Sequence, residues 1–273
     1  MTSLLEFCAR TDSGMVRQHN EDSIAIQYLP DRSAGLAILA DGMGGHNAGE
    51  VASALAVSVV MEAIGEQIQQ ILAIPWPSGA DLLRQRLVDS VKLANWSIFS
   101  AASESIECAG MGTTLIVALF HHDRLTLAHV GDSRLYRLRD SALHQITNDH
   151  SVLQEQIDAG LISLEEAQFS LNKNVITRAL GVEPDVMVDV YELECMQDDL
   201  YLICSDGLSD MLLNQEIKDD LLRFIWDREL AAQALIDHAN TVGGRDNISV
   251  ILVKQQEGEV EDQSMGQVAR WVG

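Results

Sequence analysis

Positive charge is scarce in this chain. Its 273 residues carry 18 Lys and Arg against 41 Asp and Glu, a formal net charge of −23. Nucleic-acid binding draws much of its affinity from basic side chains on phosphates, so this composition argues against such a partner. An acidic balance keeps a protein soluble, and it also attracts divalent cations and basic partners. Cysteine is sparse as well. Cys8, Cys108, Cys195 and Cys204 are scattered, with no CxxC pair and no histidine at zinc-ligand spacing. Structural thiols in a reduced, cytoplasmic protein are the expectation. The opening MTSLLEFCAR lacks a basic start followed by an apolar run, so no signal peptide is read there. The most apolar helix candidate, 51–64, is short for a bilayer span and contains Glu62, so no membrane partner is expected. A GxSxG elbow is missing, and the glycine cluster at 42–45 is not followed by the GK[ST] of a phosphate-binding P-loop.

Apolar residues, by contrast, are plentiful at 47%, enough for a sizeable core in one large domain or two small ones. Short apolar runs end repeatedly in Asp or Gly: 35–40 before Asp41-Gly42, 125–130 before Gly131-Asp132, 200–204 before Ser205-Asp206-Gly207. A further run, 248–253, directly follows Asp246-Asn247. Continuous apolar strands of this kind belong to sheets covered on both faces. The run at 113–120 leads into His121-His122-Asp123, read as an exposed hairpin turn. Helices are expected over 48–72, with Asn47 as N-cap, and over 81–103, where Leu83, Leu87, Val91 and Ile98 share one face. A second pair is expected over 214–226 and 229–241. Strands in adjacent runs with helices in pairs between them favour packed antiparallel sheets with helices outside. The polar segment 149–175, with two short helix candidates around Gly160, reads as an inserted flap. Residues 1–254 are read as one domain and 255–273 as an acidic extension.

Asp41, Asp132, Asp206 and Asp246 all stand beside apolar runs, and Glu21-Asp22 precedes a strand-like segment at 23–28. Carboxylates on neighbouring strand ends repel unless protons or cations compensate them. All-oxygen sites suit Mg2+ or Mn2+ rather than zinc. Each residue also has a plainer reading. Asp41-Gly42 and Asp206-Gly207 are ordinary turn dipeptides, Asp132 could cap a turn and pair with Arg134, and Asp246 could sit in a hairpin. Arg17, four residues before Glu21, is either a solvated charge or a guanidinium able to grip phosphate. His144, His150 and His238 are isolated and read as structural or solvated.

Taken together, eight segments resemble the metal-dependent protein phosphatases, the PPM or type 2C Ser/Thr family, in compact bacterial form. They are TDSG at 11–14 with Arg17 and Asn20-Glu21-Asp22; DGMGG at 41–45; AGE at 48–50; GMGTT at 110–114; VGDSR at 130–134; ITRALG at 176–181; CSDG at 204–207; and GRDN at 244–247. The resemblance covers roughly 8–254, in the family's order. It implies an α+β fold: a central β-sandwich of two antiparallel sheets flanked by helices on both faces. It also implies a protein serine/threonine phosphatase in which water, activated at a binuclear Mg2+ or Mn2+ centre, attacks phosphorus directly. Asp41 would bridge two metals, with the Gly42 carbonyl on one of them. Asp206 and Asp246 would hold the first metal, and Glu21, with Asp22 beside it, the second. Asp132 with Asp206 would match a third, weaker position, and Arg17 would hold the substrate phosphate. The implied partners are phosphorylated proteins, including a Ser/Thr kinase or its substrates, acted on by a cytoplasmic monomer. A catalytically silent module of the same fold, or a small-molecule phosphohydrolase, are the alternatives. The chain departs from eukaryotic members at Met43, where they carry a histidine proposed to protonate the leaving group.

Overall fold

The computed structural model describes residues 2–28, 34–45, 48–65, 68–74, 77–163, 166, 175–258 and 269–272. Among these, a five-stranded sheet runs in the order β1 (Thr2–Asp12), β11 (Ile248–Gly258), β10 (Leu200–Cys204), β7 (Arg134–Arg139), β8 (Ala142–Gln145). A seven-stranded sheet runs β12 (Ala269–Val272), β2 (Asp22–Tyr28), β3 (Ala34–Met43), β5 (Leu115–His121), β6 (Arg124–Val130), β9 (Asp189–Glu194), with β4 (Gly112–Thr113) also paired to β3. Every strand pairing is antiparallel. On one flank lie α1 (Ala48–Gly65), the short α2 (Ile68–Leu72) and α3 (Ala80–Glu104). On the other lie the single turn α5 (Asp206–Ser209), α6 (Asn214–Arg223) and α7 (Arg228–Thr241), while α4 (Val152–Asp158) sits in the inserted segment. The fold is therefore α+β in four layers.

Strand side chains alternate between faces, which accounts for the unbroken apolar runs. On β3, Leu36, Ile38 and Ala40 point into a core shared with α1 and α3, whereas Ala37 and Leu39 point between the sheets. The same division holds on β5. On the second sheet, Leu202, Cys204, Val250 and Leu252 face the α6–α7 side and Tyr201, Ile203, Ile251 and Val253 face the sandwich interior. Strands caught between a helix layer and another sheet have no polar face.

Several expectations are revised. Of the helix read over 48–72, the structure describes α1 up to Gly65 and α2 over Ile68–Leu72; residues 66–67 and the proposed cap Asn47 lie outside the described residues. By length and composition α1 is apolar enough to cross a membrane, yet Ala52, Ala56, Val57 and Val60 are fully buried in the core beneath it. The helix at 214–226 stops at Arg223. His121 is buried, not part of an exposed turn, and only His122, with φ 53°, and Asp123 make the bend. Of the flap's two helix candidates, α4 is present and the second lies largely outside the described residues. The flap leaves and rejoins the domain at one point, where Ser151 bridges Ile176 and the Val152 N–H donates to the Val175 carbonyl at 2.9 Å. The chain after 255 continues β11 to Gly258, and Ala269–Val272 adds a strand beside β2.

Leu252, fully buried between β11's neighbours and α7, tests the layered core. Leu252→Ala should cost ~2–5 kcal/mol and lower the melting temperature by roughly 5–15 °C, whereas Leu161→Ala, at a side chain 73% exposed, should shift it by no more than about 2 °C in calorimetry.

Candidate active site

The acids predicted from sequence meet at one end of the sandwich because each closes or opens a strand there. Asp22 begins β2 and Asp41 lies near the end of β3, directly opposite it in the register. Asp132 follows β6, Asp206 follows β10, and Asp246 precedes β11. The backbone of Asp41 is fixed by the GTT run: Thr113 Oγ1 donates to its carbonyl at 2.8 Å, and its N–H donates to Thr114 Oγ1 at 3.0 Å. Close approach makes two glycines obligatory. A Cβ at Gly42 would lie 2.2 Å from the Gly49 carbonyl oxygen and 2.5 Å from that of Glu21, and one at Gly207 would lie 1.9 Å from the Asn247 carbonyl oxygen.

Two polar residues sew the sheets together around this end. Ser205 Oγ donates to Asp22 Oδ2 at 2.9 Å and accepts from the Ser249 N–H at 3.0 Å. Asn247 accepts from the Glu21 N–H at 2.8 Å through Oδ1, and its Nδ2 donates to the carbonyls of Ser13 at 3.1 Å and His19 at 2.9 Å. Neither had been singled out from sequence, although both stand inside the quoted motifs; their amide and hydroxyl chemistry was the available signal.

The electrostatics follow from geometry. Burial raises the Asp41 carboxyl well above its ordinary value, and the negative charges of Asp22, Asp206, Asp132 and Asp246 raise it further. Asp206 is raised in the same way by burial and then by Asp132, Asp210 and Asp246. Burial pushes Asp22 up to about 6, against the opposing hydrogen bonds from Ser249 and Ser205. Burial together with Asp149 pushes Asp132 up to about 7. Glu21 is raised by burial and partly restored by Arg17. Asp210 belongs to this cluster by its effect on Asp132 and Asp206, and sequence reading passed over it because it sits within a helical turn. Arg17 is half-exposed and donates from Nη2 to Asp246 Oδ2 at 2.7 Å. Arg134 does not pair with Asp132: it forks onto Asp149 at 2.7–3.0 Å.

His150 is buried rather than isolated. Its Nδ1 accepts from the Gly131 N–H at 2.9 Å, which leaves Nε2 to donate toward Asp189 at 3.3 Å. It stacks on His129 at 4.7 Å. Burial lowers both imidazoles, His129 to about 3.

Among the described residues, no three His, Cys, Asp or Glu side chains are already drawn together as a ligand set. The donors nevertheless fit hard divalent cations. They are all oxygens, Asp41 and Asp206 remain partly open to solvent, and the buried Asp22 Oδ1 and Asp132 Oδ1 lack any hydrogen-bond partner.

Comparison with known proteins identifies the relatives of this chain. The protein phosphatase 2C family model matches residues 15–240. A serine/threonine phosphatase of Listeria welshimeri, Stp, is 38% identical over 246 residues, 90% of this chain and 94% of that protein. The crystal structure of serine/threonine phosphatase Stp1 from Staphylococcus aureus superposes with a TM-score of 0.82 at 32% identity, over 93% of this chain and 96% of that one. The catalytic domain of the protein phosphatase PstP, solved with two manganese ions, superposes with a TM-score of 0.79 at 37% identity, over 94% of this chain and 100% of that one.

The crowded carboxylates carry a pH signature. Asp22 and Asp132 titrate near 6 and 7 in the folded chain against 3.8 ordinarily. The fold therefore binds these protons more tightly than the unfolded chain does, and their contribution is complete below about pH 4 and lost as pH rises through 7. In EDTA the melting temperature should fall from pH 5 to pH 8. Millimolar Mn2+ should raise it at pH 8 by roughly 5–10 °C, the ~2.7 kcal/mol of a ligand at 100 times its Kd. A pH-independent, Mn2+-insensitive melting curve would contradict the reading.

Proposed function

The chain belongs to the protein phosphatase 2C family and is thereby a phosphatase, and from that premise we propose that it hydrolyses phosphoserine and phosphothreonine on proteins at a binuclear Mg2+ or Mn2+ site. The observation that carries the reading is the convergence of Asp22, Asp41, Asp132, Asp206 and Asp246, where burial first, and neighbouring carboxylates second, hold several of them above their ordinary pKa. Asp41 would bridge two cations, with the Gly42 carbonyl on one of them. Asp206 and Asp246 would complete the first position, Glu21 and Asp22 the second, and Asp132 with Asp206 a third. When bound, such a pair supplies a water acidic enough to act as nucleophile near neutral pH and positive charge opposite the phosphoryl oxygens.

The chain's own groups do the rest. Thr113 and Thr114 hold the Asp41 backbone rigid, so its carboxylate is aimed before substrate arrives. Arg17, whose charge is reinforced by Asp246, presents a half-exposed guanidinium suited to gripping two phosphate oxygens. Met43 cannot donate a proton, and His129 and His150 are kept neutral by burial. The domain read over 1–254 carries the site, and the segment read as an extension adds the end of β11 and the edge strand β12 to its sheets. A cytoplasmic monomer opposing a Ser/Thr kinase fits the acidic composition and the named phosphatase relatives.

Asp41→Asn and Asp206→Asn should each lower Mn2+-dependent hydrolysis of p-nitrophenyl phosphate by at least ~10²-fold, without lowering the melting temperature measured in EDTA. Arg17→Ala should lose about 10–100-fold in kcat/KM, the equivalent of ~1.5–3 kcal/mol for charged hydrogen bonds. Unchanged turnover in both Asp variants defeats the site. Turnover of sugar phosphates or nucleotides in preference to phosphopeptides defeats the substrate class.

A further inference from the structure

Beside the acid end of β3 lies a pocket of about 310 Å3 that the reaction itself does not use. Met43, Val175, Ala179 and Val182 give it apolar walls, and Val175 and Val182 stand at its mouth, 47% and 56% exposed. Gly112, paired with Met43 across β3 and β4, makes the room: a Cβ there would lie 2.8 Å from Met43 Cε and 3.3 Å from Val182 Cγ2. Arg178 contributes to the wall, yet its guanidinium is engaged elsewhere, donating to Asp189 Oδ1 at 2.8 Å and to the Met187 carbonyl at 3.3 Å. Among the described residues that line it Arg178 is the one charged side chain, so in a chain of net charge −23 this is a largely apolar hollow without an acid.

Its position relative to Asp41 is what gives it meaning. Asp41 and Met43 are two apart on one strand, so their side chains emerge on the same face, with Cα atoms about 7 Å apart. An extended peptide has the same repeat. A substrate with its phosphorylated residue over Asp41 therefore brings a residue one or two places away over the pocket.

We propose that this pocket is a specificity subsite that takes an apolar side chain one or two residues from the phosphoserine or phosphothreonine. The inference rests on the phosphatase reading above and names the part of the substrate, beyond the phosphate, that the protein selects. An acidic flanking residue is disfavoured, since it would enter an apolar hollow within a strongly negative protein.

The test is a series of phosphothreonine peptides identical except for Leu, Ser or Glu at each of the two positions on either side. They are assayed with Mn2+ alongside p-nitrophenyl phosphate. At one position or more, Leu should exceed Glu by about 10-fold or more in kcat/KM, as expected for filling an apolar pocket. Val182→Asp and, independently, Val175→Asp should remove most of that preference while leaving p-nitrophenyl phosphate turnover within about 2-fold. Equal kcat/KM across the series, or variants that slow peptides and p-nitrophenyl phosphate alike, overturns the subsite and leaves the phosphatase reading standing. Absence of turnover on every substrate overturns both.

Discussion

Like charges gathered at one end of a sandwich are the constraint around which this molecule is arranged. Carboxylates on five separate segments share a volume in which burial already disfavours ionisation. As anions they repel one another, so the surrounding scaffold must hold them in place. The two threonines beneath Asp41, the hydroxyl of Ser205 between Asp22 and Ser249, and the side-chain amide of Asn247 form that scaffold. They are neutral groups, able to make fixed hydrogen bonds without altering the charge balance of the centre. The layered core behind them provides the stability that a crowded acid site subtracts.

This division of labour also explains the histidines. Two imidazoles lie behind the Asp132 loop, stacked and buried, with Gly131 hydrogen-bonded to one of them. Kept neutral, they add no charge to a region where either sign would disturb the acids. They shape the loop between β6 and β7 and reach, through Asp189 and the Arg178 paired with it, to the root of the flap.

Much of the fold was legible in the sequence where both faces of a strand are covered. The runs 35–40, 200–204 and 248–253 are apolar throughout because a helix layer and a second sheet enclose them. Strands with a wet or polar side gave weaker signals. β7 reads RLYRLR and β9 reads DVYELE, and neither stood out against its surroundings. The acids were legible because each follows or precedes an apolar run. Their convergence was not, because strand order is a property of pairing between distant segments. The alternation β10–β11–β1 brings together residues nearly the full chain apart. Asp210 was missed because a carboxylate in a helical turn has no strand to advertise it. His150 was misjudged because its partners, Gly131 and Asp189, lie 19 and 39 positions away in the sequence.

The pinned root of the flap has a mechanical corollary. Ser151 and Ile176 are bridged, and Val152 and Val175 are joined by a backbone hydrogen bond, so the excursion between them starts and finishes at a single rivet. Tension or rearrangement within the excursion meets that rivet before it meets the acids. Within the stretch, Asp158 of α4 is tied back to Asn148 by a hydrogen bond at 3.1 Å, so the described part of the excursion is braced at its base.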